Sequence, residues 1–177
     1  YKKMIFTKQK IKGLILIKPK NFIDNRGLFR RIYCLRELKK EKFNFKIMQS
    51  NISENRNIHT LRGFHYQENP YGENKIITCI QGQIHNIVID MRKKSKTFMQ
   101  WQSYSLSEKN RFALLVPKGC ANAYLTLKKK TWILYLHSQF YKKGSEKRIR
   151  YNDPKFSFDW PHKPKVISIK DKVIKFI

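Results

Sequence analysis

Lys75-Ile76-Ile77-Thr78-Cys79-Ile80-Gln81-Gly82-Gln83-Ile84-His85-Asn86-Ile87-Val88-Ile89-Asp90-Met91 sets two isoleucine-rich runs on either side of a glycine. Side chains branched at Cβ are stiff at χ1 and pack well on a pleated surface. Gly82 can take the positive φ that a tight connection requires. The stretch predicts two strands, Lys75 to Ile80 and Ile84 to Met91, joined as a hairpin. Similar runs recur outward from it: Ile11 to Lys18, Leu28 to Tyr33, Ile47 to Ser53, Thr60 to Gln67, Gln100 to Leu106, Phe112 to Val116, Ala121 to Leu127 and Thr131 to Phe140. Short strands at this spacing, with turn residues between them, point to an all-β sandwich or barrel. Helical spacing is confined to Leu35 to Phe43, with Leu35, Leu38 and Lys42 on one side, and to a short segment near Ile169 to Lys175.

With 177 residues, 41% of them hydrophobic, the chain can bury one real core and is short for two. No repeat, linker or shift in composition divides it, so one domain over residues 1–177 is expected. The longest apolar runs, such as Leu14 to Ile17 and Phe112 to Val116, are far below the roughly 20 residues of a membrane-spanning helix. Gly13 to Ile17 is followed by Lys18-Pro19-Lys20 instead of small residues suited to a signal-peptidase cut, so the expected location is cytoplasmic, with no membrane partner. The cysteines, Cys34, Cys79 and Cys120, are odd in number and form no Cys-x-x-Cys pair. Free thiols, with Cys120 a small apolar filler, are expected.

A net charge of +27, from 39 Lys and Arg against 12 Asp and Glu, would draw nucleic acid, anionic membranes or phosphorylated small molecules alike. Most of the excess is lysine in clusters such as Lys128-Lys129-Lys130, in places that read as loops and hairpin tips. Stacking motifs of the RNA-binding kind are absent, and no nucleic-acid partner is expected.

Thr60-Leu61-Arg62-Gly63-Phe64-His65-Tyr66-Gln67 puts a guanidinium and an imidazole on one strand, as suits an anionic substrate held beside a proton-transfer base. Arg62 and His65 have opposite strand parity, so both can reach one pocket only if the strand bulges, and Gly63 is where a bulge costs least. On Thr131 to Phe140, alternation gathers Ile133, Tyr135, His137 and Gln139 on a mixed face, either solvent or the wall of a polar cavity. His59, His85, His137 and His162 carry no motif and read as structural or surface residues.

Taken with Lys75, Pro117-Lys118-Gly119-Cys120-Ala121-Asn122-Ala123 and Ser168-Ile169-Lys170-Asp171, the Arg-Gly-x-His segment resembles the dTDP-4-dehydrorhamnose 3,5-epimerase family of cupin-like barrels. Ile149-Arg150-Tyr151-Asn152-Asp153-Pro154 and Phe158-Asp159-Trp160-Pro161 also look like the family's pattern and read as scaffold; the similarity runs from about Gly13 to Asp171. The resemblance implies a cupin-like jelly-roll β-barrel with a few short helices. It further implies an isomerase that epimerises a nucleotide-activated 4-keto-6-deoxy sugar, dTDP- or GDP-linked, at C3, C5 or both in deoxysugar or surface-polysaccharide biosynthesis. It assigns proton abstraction to His65 with Asp171, return of a proton from the other face to Tyr135, and stabilisation of the enolate to Lys75. Arg26 and Arg62 match arginines that bind the diphosphate, while Phe29, Arg31, Gln49, Asn51, Asn122 and Glu146 are further substrate-binding candidates.

Where cupins bind metal through several histidines, this chain offers His65 followed by Tyr66 and Gln67, with Asn122 in the place of a second, so no metal and no other cofactor is expected. The family is a dimer through exchanged N-terminal strands, and the same is expected here. Two residues depart from its pattern. Asn122 stands for a histidine in Gly-Phe-Ala-His-Gly-Phe, here Gly119-Cys120-Ala121-Asn122-Ala123-Tyr124, and Arg31 stands for a glutamate near the nucleotide base. The departures leave open which nucleotide, which sugar and which carbon. A nucleotide-sugar 3,4-ketoisomerase of the same fold and a non-enzymatic basic nucleic-acid-binding module are the alternatives.

Overall fold

A computed structural model describes residues 3–177; Tyr1 and Lys2 lie outside the described residues. In chain order the elements are β1 (Ile5–Lys8), β2 (Ile15–Lys18), β3 (Asn21–Asp24), β4 (Gly27–Arg30), α1 (Leu35–Lys40), β5 (Gln49–Asn55), β6 (Leu61–Gln67), β7 (Lys75–Gln81), β8 (Gln83–Asp90), β9 (Trp101–Ser107), β10 (Ala113–Val116), β11 (Cys120–Thr126), β12 (Thr131–His137), β13 (Glu146–Arg148) and α2 (Ile169–Lys172). Two antiparallel sheets, β1-β2-β10-β7-β12-β5 and β13-β6-β11-β8-β9, face one another as a cupin-like jelly roll, and β3 and β4 form a separate ribbon. Among the described residues, no helix is long and apolar enough to cross a membrane.

Three apolar layers explain why so many positions are buried. Between the sheets lie Leu14, Ile77, Ile84, Val88, Leu106, Leu114, Tyr124 and Ile133. Outside the six-stranded sheet, Ile15, Ile17, Ile76 and Leu115 are covered by Leu38 of α1 and by Phe45. Outside the five-stranded sheet, Phe64, Ile87, Ile89 and Ala121 are covered by Ile149, Phe156, Phe158 and Trp160, which gives the two C-terminal motifs their scaffold role. Sandwiched on both faces, β11 is buried at every position. The same burial explains the uniformly apolar character of its neighbours, since a strand covered on both sides loses the polar alternation of a half-exposed one.

The predicted hairpin at Gly82 is not formed. β7 pairs with β10 and β12, whereas β8 pairs with β9 and β11, so the chain passes from one sheet to the other at Gly82. Gly82 has φ +80, and a Cβ there would lie 2.4 Å from Thr131 Oγ1. Its N–H is taken by Glu108 Oε2 at 3.0 Å. The turn residue was therefore read correctly, but a glycine corner joins opposite sheets as well as adjacent strands. Near the N-terminus, Leu14 N donates to Ile11 O, and Gly13 has φ +86, so the expected strand from Ile11 begins only at Ile15. Lys42, expected on the apolar side of α1, is exposed with φ 64 and marks the end of that helix.

At Gly63 the expected bulge is present. β6 and β11 pair as Leu61↔Leu125 and Arg62↔Tyr124, then resume at His65↔Asn122, which leaves Gly63 and Phe64 against Ala123 alone. Gly63 has φ +111, and an added Cβ would meet Asn122 O at 2.5 Å and Ala123 Cα at 2.7 Å. Both the conformation and the space exclude a side chain. Gly63→Ala is expected to destabilise the fold by about 3 kcal/mol. The check is thermal unfolding, where the midpoint should drop by roughly 6 °C or more.

Candidate active site

Between the two sheets, open at one end, lies a cavity of about 620 Å³. The Gly63 bulge turns Arg62 and His65 to the same side, and both line it. Beside His65 in register on β11 is Asn122, and β13 adds Glu146 and Arg148. The opposite wall comes from Asn51 and Ser53 of β5, Lys75 of β7, and Tyr135 and His137 of β12. Residues 135 and 137 share a face because strand side chains alternate, and Ile133 on that face lies in the core between the sheets. The mixed face of β12 is thus a cavity wall.

Asp171 closes the cavity from α2, whose N-cap is Ser168; its hydroxyl accepts from Asp171 N at 3.2 Å. The buried carboxylate takes His65 Nε2 at 2.8 Å and Arg148 at 2.6 Å. Arg148 bridges on to Glu146, and Glu146 Oε1 lies 3.7 Å from His65 Nδ1. Burial pushes the Asp171 carboxyl up, but the hydrogen bond from His65, with help from Ser168 and Arg148, outweighs it and leaves the pKa lowered. An ionised Asp171 accepts from Nε2–H, which leaves Nδ1 of the neutral ring as a base.

A second imidazole–carboxylate pair lies across the cavity. His137 Nδ1 is 2.7 Å from Glu73 Oε2, and Lys75 Nζ is 3.3 Å from Glu73 Oε1. Asn51 Nδ2 lies 3.2 Å from His137 Nε2, and the His137 ring stacks on that of Tyr135 with centroids 5.8 Å apart. Burial again pushes Glu73 up, and His137 and Lys75 overcome it, so this carboxyl too is lowered. Burial, with a smaller contribution from the neighbouring Tyr124, raises the Tyr135 phenol well above its ordinary value, and Arg62 opposes it. A neutral phenol is thereby kept at neutral pH on the wall that faces the base.

Of the residues picked out from the sequence, His65, Asp171, Lys75, Tyr135, Asn51, Arg62, Asn122 and Glu146 converge on this cavity. Gln49 does not line it; its amide donates to Asn51 Oδ1 at 3.2 Å and accepts from Tyr141 N at 3.1 Å, so it holds a wall residue in place. Arg26, Phe29 and Arg31 are not brought to this cavity. Arg26 is 85% exposed and paired with Asp24, Phe29 is 71% exposed on the ribbon, and Arg31 pairs with Glu37. The ribbon has no strand partner in either sheet, which leaves its residues far from the interior. His137, read as structural, is in the wall, and Glu73, Arg148 and Ser53 were overlooked. Only the even spacing of His137 from Tyr135 could have signalled one of these. The remaining histidines are structural: His85 bonds Asp159 at 3.1 Å, and His59 stacks on His162. Cys79 and Cys120 are free and buried, and burial pushes both thiols up to about 12. Among the described residues, no group of three His, Cys, Asp or Glu side chains converges as a metal set.

The family model described as dTDP-4-dehydrorhamnose 3,5-epimerase matches residues 8–177. The dTDP-4-dehydrorhamnose 3,5-epimerase of Salmonella typhimurium is 34% identical over 161 residues, covering 89% of this chain and 86% of that protein. A crystal structure of the enzyme of that name from Bacillus anthracis, with TDP and PPi bound, superposes with a TM-score of 0.96 at 32% identity, over 99% of this chain and 100% of that one. A Legionella pneumophila dTDP-6-deoxy-D-glucose-3,5-epimerase in complex with dTDP-4-keto-L-rhamnose gives a TM-score of 0.90 at 30% identity, over 96% and 90% of the two chains.

A carboxylate whose pKa is lower folded than unfolded adds stability above the unfolded value, near 4, and loses it as pH falls through the folded value. Asp171 and Glu73 both shift in that sense. The unfolding free energy is expected to fall on acidification below about pH 4. In Asp171→Asn that acid decline should be shallower, as read by denaturant titrations at a series of pH values.

Proposed function

This chain belongs to the dTDP-4-dehydrorhamnose 3,5-epimerase family, and from that premise we propose that it epimerises a nucleoside-diphosphate 4-keto-6-deoxy sugar at C3, C5 or both. One observation carries the assignment of roles: the His65–Asp171 pair stands on one wall of a single cavity, and the Tyr135 phenol stands on the other beside Lys75. Nδ1 of His65 takes the proton from a carbon next to the ketone: the C–H bond breaks, N–H forms, and the electrons move into the carbonyl as an enolate. Asp171 keeps the ring in the required tautomer and balances the imidazolium. Lys75, nearly buried, faces the developing oxyanion with its ammonium in a water-poor site, where such a charge acts strongly. Tyr135 then gives its proton to the opposite face of the carbon, and the enolate collapses to the inverted ketone. Arg62 takes the diphosphate, and Asn51, Asn122 and Glu146 contact the sugar.

A homodimer with exchanged N-terminal strands is part of the proposal. β1 is an edge strand, and Ile23 and Phe29 of the ribbon are 76% and 71% exposed. Apolar side chains so exposed mark an association surface. In such a dimer, Arg26 and Phe29 act at the partner's cavity, which accounts for their distance from their own. Arg31, by contrast, is engaged with Glu37 inside the chain, so its charge is spent on packing α1 and carries little information about the nucleotide. The whole chain acts as one domain in the cytoplasm, a reducing compartment in keeping with its unpaired cysteines.

Incubation with dTDP-4-keto-6-deoxyglucose in deuterated water, followed by NMR, tests the roles. His65→Ala and Tyr135→Phe should each lower inversion by about 10² to 10⁴ while near-ultraviolet circular dichroism stays unchanged. Inversion at the wild-type rate in both variants removes the assignment. Ile23→Glu with Phe29→Ser should shift light-scattering mass from dimer to monomer and lower kcat/KM at least tenfold, about the cost of losing one good contact. A variant that stays dimeric and fully active overturns the exchanged arrangement.

A further inference from the structure

On the Tyr135 side of the cavity runs a series of hydrogen bonds whose directions are all fixed from one end. It starts at the main-chain N–H of Tyr141, which can only donate and meets Gln49 Oε1 at 3.1 Å. That turns the Gln49 amide nitrogen, also only a donor, toward Asn51 Oδ1 at 3.2 Å. Asn51 therefore presents Nδ2 to His137 Nε2 at 3.2 Å, and the ring nitrogen must accept. The proton of the imidazole is then on Nδ1, which donates to Glu73 Oε2 at 2.7 Å. The other oxygen of that carboxylate meets Lys75 Nζ at 3.3 Å.

Glu73 and His137 are largely out of water, with side chains 9% and 13% exposed. Placing two ionisable groups there costs free energy that an apolar pair would not. Ile133, on the same face of β12, is what a purely structural residue looks like. The pair leaves in the cavity wall a lone pair on Nε2, strengthened as an acceptor by the carboxylate behind Nδ1, next to an N–H of Asn51. A donor and an acceptor side by side match one hydroxyl group, whose oxygen accepts from the amide while its proton goes to the ring. An ether or carbonyl oxygen answers only the amide, and a methyl group answers neither.

Which hydroxyl this is follows from Lys75 and rests on the function proposed above. There the ammonium faces the C4 oxygen, and His137 stands next to it, opposite in register on β12 and bound to the same carboxylate. The group offered to Asn51 and His137 is thus a substituent of a carbon beside the ketone. In a 4-keto-6-deoxy sugar, C5 carries a methyl group and the ring oxygen, whereas C3 carries a hydroxyl. We infer that Asn51 and His137, aligned by Gln49 and Glu73, receive the C3 hydroxyl of the sugar, so that His137 determines specificity for substrates that retain it. Holding that hydroxyl turns C3 toward β5 and fixes which way round the ring lies. Before the sugar binds, the two groups satisfy each other, so a missing hydroxyl orphans neither. Discrimination is therefore about tenfold, that of an ordinary hydrogen bond, and not the roughly 10⁴ of a site left with unpaired groups.

The test compares kcat/KM for deuterium entry beside the ketone, in deuterated water, for dTDP-4-keto-6-deoxyglucose and its 3-deoxy and 2-deoxy analogues. His137→Phe keeps a flat ring against Tyr135 and removes both nitrogens, and His137→Gln restores an acceptor without the imidazole. The preference for the parent sugar over the 3-deoxy sugar should fall about tenfold from wild type to His137→Phe, and by less in His137→Gln. The preference over the 2-deoxy sugar should stay within about twofold. Differences in intrinsic acidity between the sugars cancel in these comparisons, and a loss of packing alone slows all three together. A 3-deoxy preference unchanged in His137→Phe, or a 2-deoxy preference that shifts as far, overturns the assignment. Should His137→Phe fail to fold, Asn51→Ala decides by the same ratios. A wild type that brings deuterium into none of the three sugars sinks the parent function as well, whereas an active wild type with unchanged ratios in the variant sinks the C3 assignment alone.

Discussion

Strand parity is the constraint on which the site depends. A regular β6 would present Arg62 to the cavity and His65 to the outer face, or the reverse, because successive side chains point to opposite sides of a sheet. Gly63 and Phe64 together opposite Ala123 shift the register by one residue, so both polar groups face inward while Phe64 is delivered to the outer apolar layer. The shift requires a residue without Cβ, because Asn122 O and Ala123 occupy the space. From this follow the pairing of His65 with Asn122 in register and the approach of α2 over His65.

In a chain with 39 basic and only 12 acidic residues, the placement of the carboxylates is informative. Glu73, Glu146 and Asp171 all line the cavity, each tied to an imidazole, an ammonium or a guanidinium. Two others fix structural junctions: Glu37 holds Arg31 and the N–H of Met4, and buried Asp90 binds Arg92, Ser95 and Thr97. Asp90 is held at about 2 because these donors outweigh its burial. The lysine excess takes little part in such networks, so net charge describes the field around the molecule and says little about its interior.

Much of this was legible in the sequence, and the boundary is physical. Strand composition located nine of the ten runs to within three residues at both ends, because β-branched and apolar residues buried on two faces leave a dense local signal. Asp171 and Tyr135 could be placed through the resemblance to the family, while parity left the face of Tyr135 open between solvent and cavity. Sheet partners could not: the Gln81-Gly82-Gln83 corner is equally suited to joining neighbours or crossing between sheets, and only the three-dimensional packing selects the crossing. β1, β3 and β13 were also missed; four, four and three residues long, they have too few side chains for alternation to register. Glu73 meets His137 across 64 positions, and Tyr124 meets Ser53 across 71, with no local pattern to announce either contact. Arg26 and Phe29 came from the family resemblance alone, and the chain leaves both exposed on the β3–β4 ribbon.

The Asn122 departure gains meaning from the same long-range contacts. Asparagine beside His65 leaves that wall with one ionisable base, already balanced by Asp171, so no second imidazolium repels the charge that His65 acquires. The other wall carries the second imidazole, His137, with Nδ1 2.7 Å from Glu73 Oε2 and its ring stacked on that of Tyr135. There Glu73 pairs with Lys75, and burial together with the neighbouring Tyr124 disfavours a phenolate at Tyr135, with Arg62 opposing them. In the proposed reaction, abstraction and return of the proton fall to walls of different character: one sets an imidazole next to a carboxylate, the other keeps a phenol protonated.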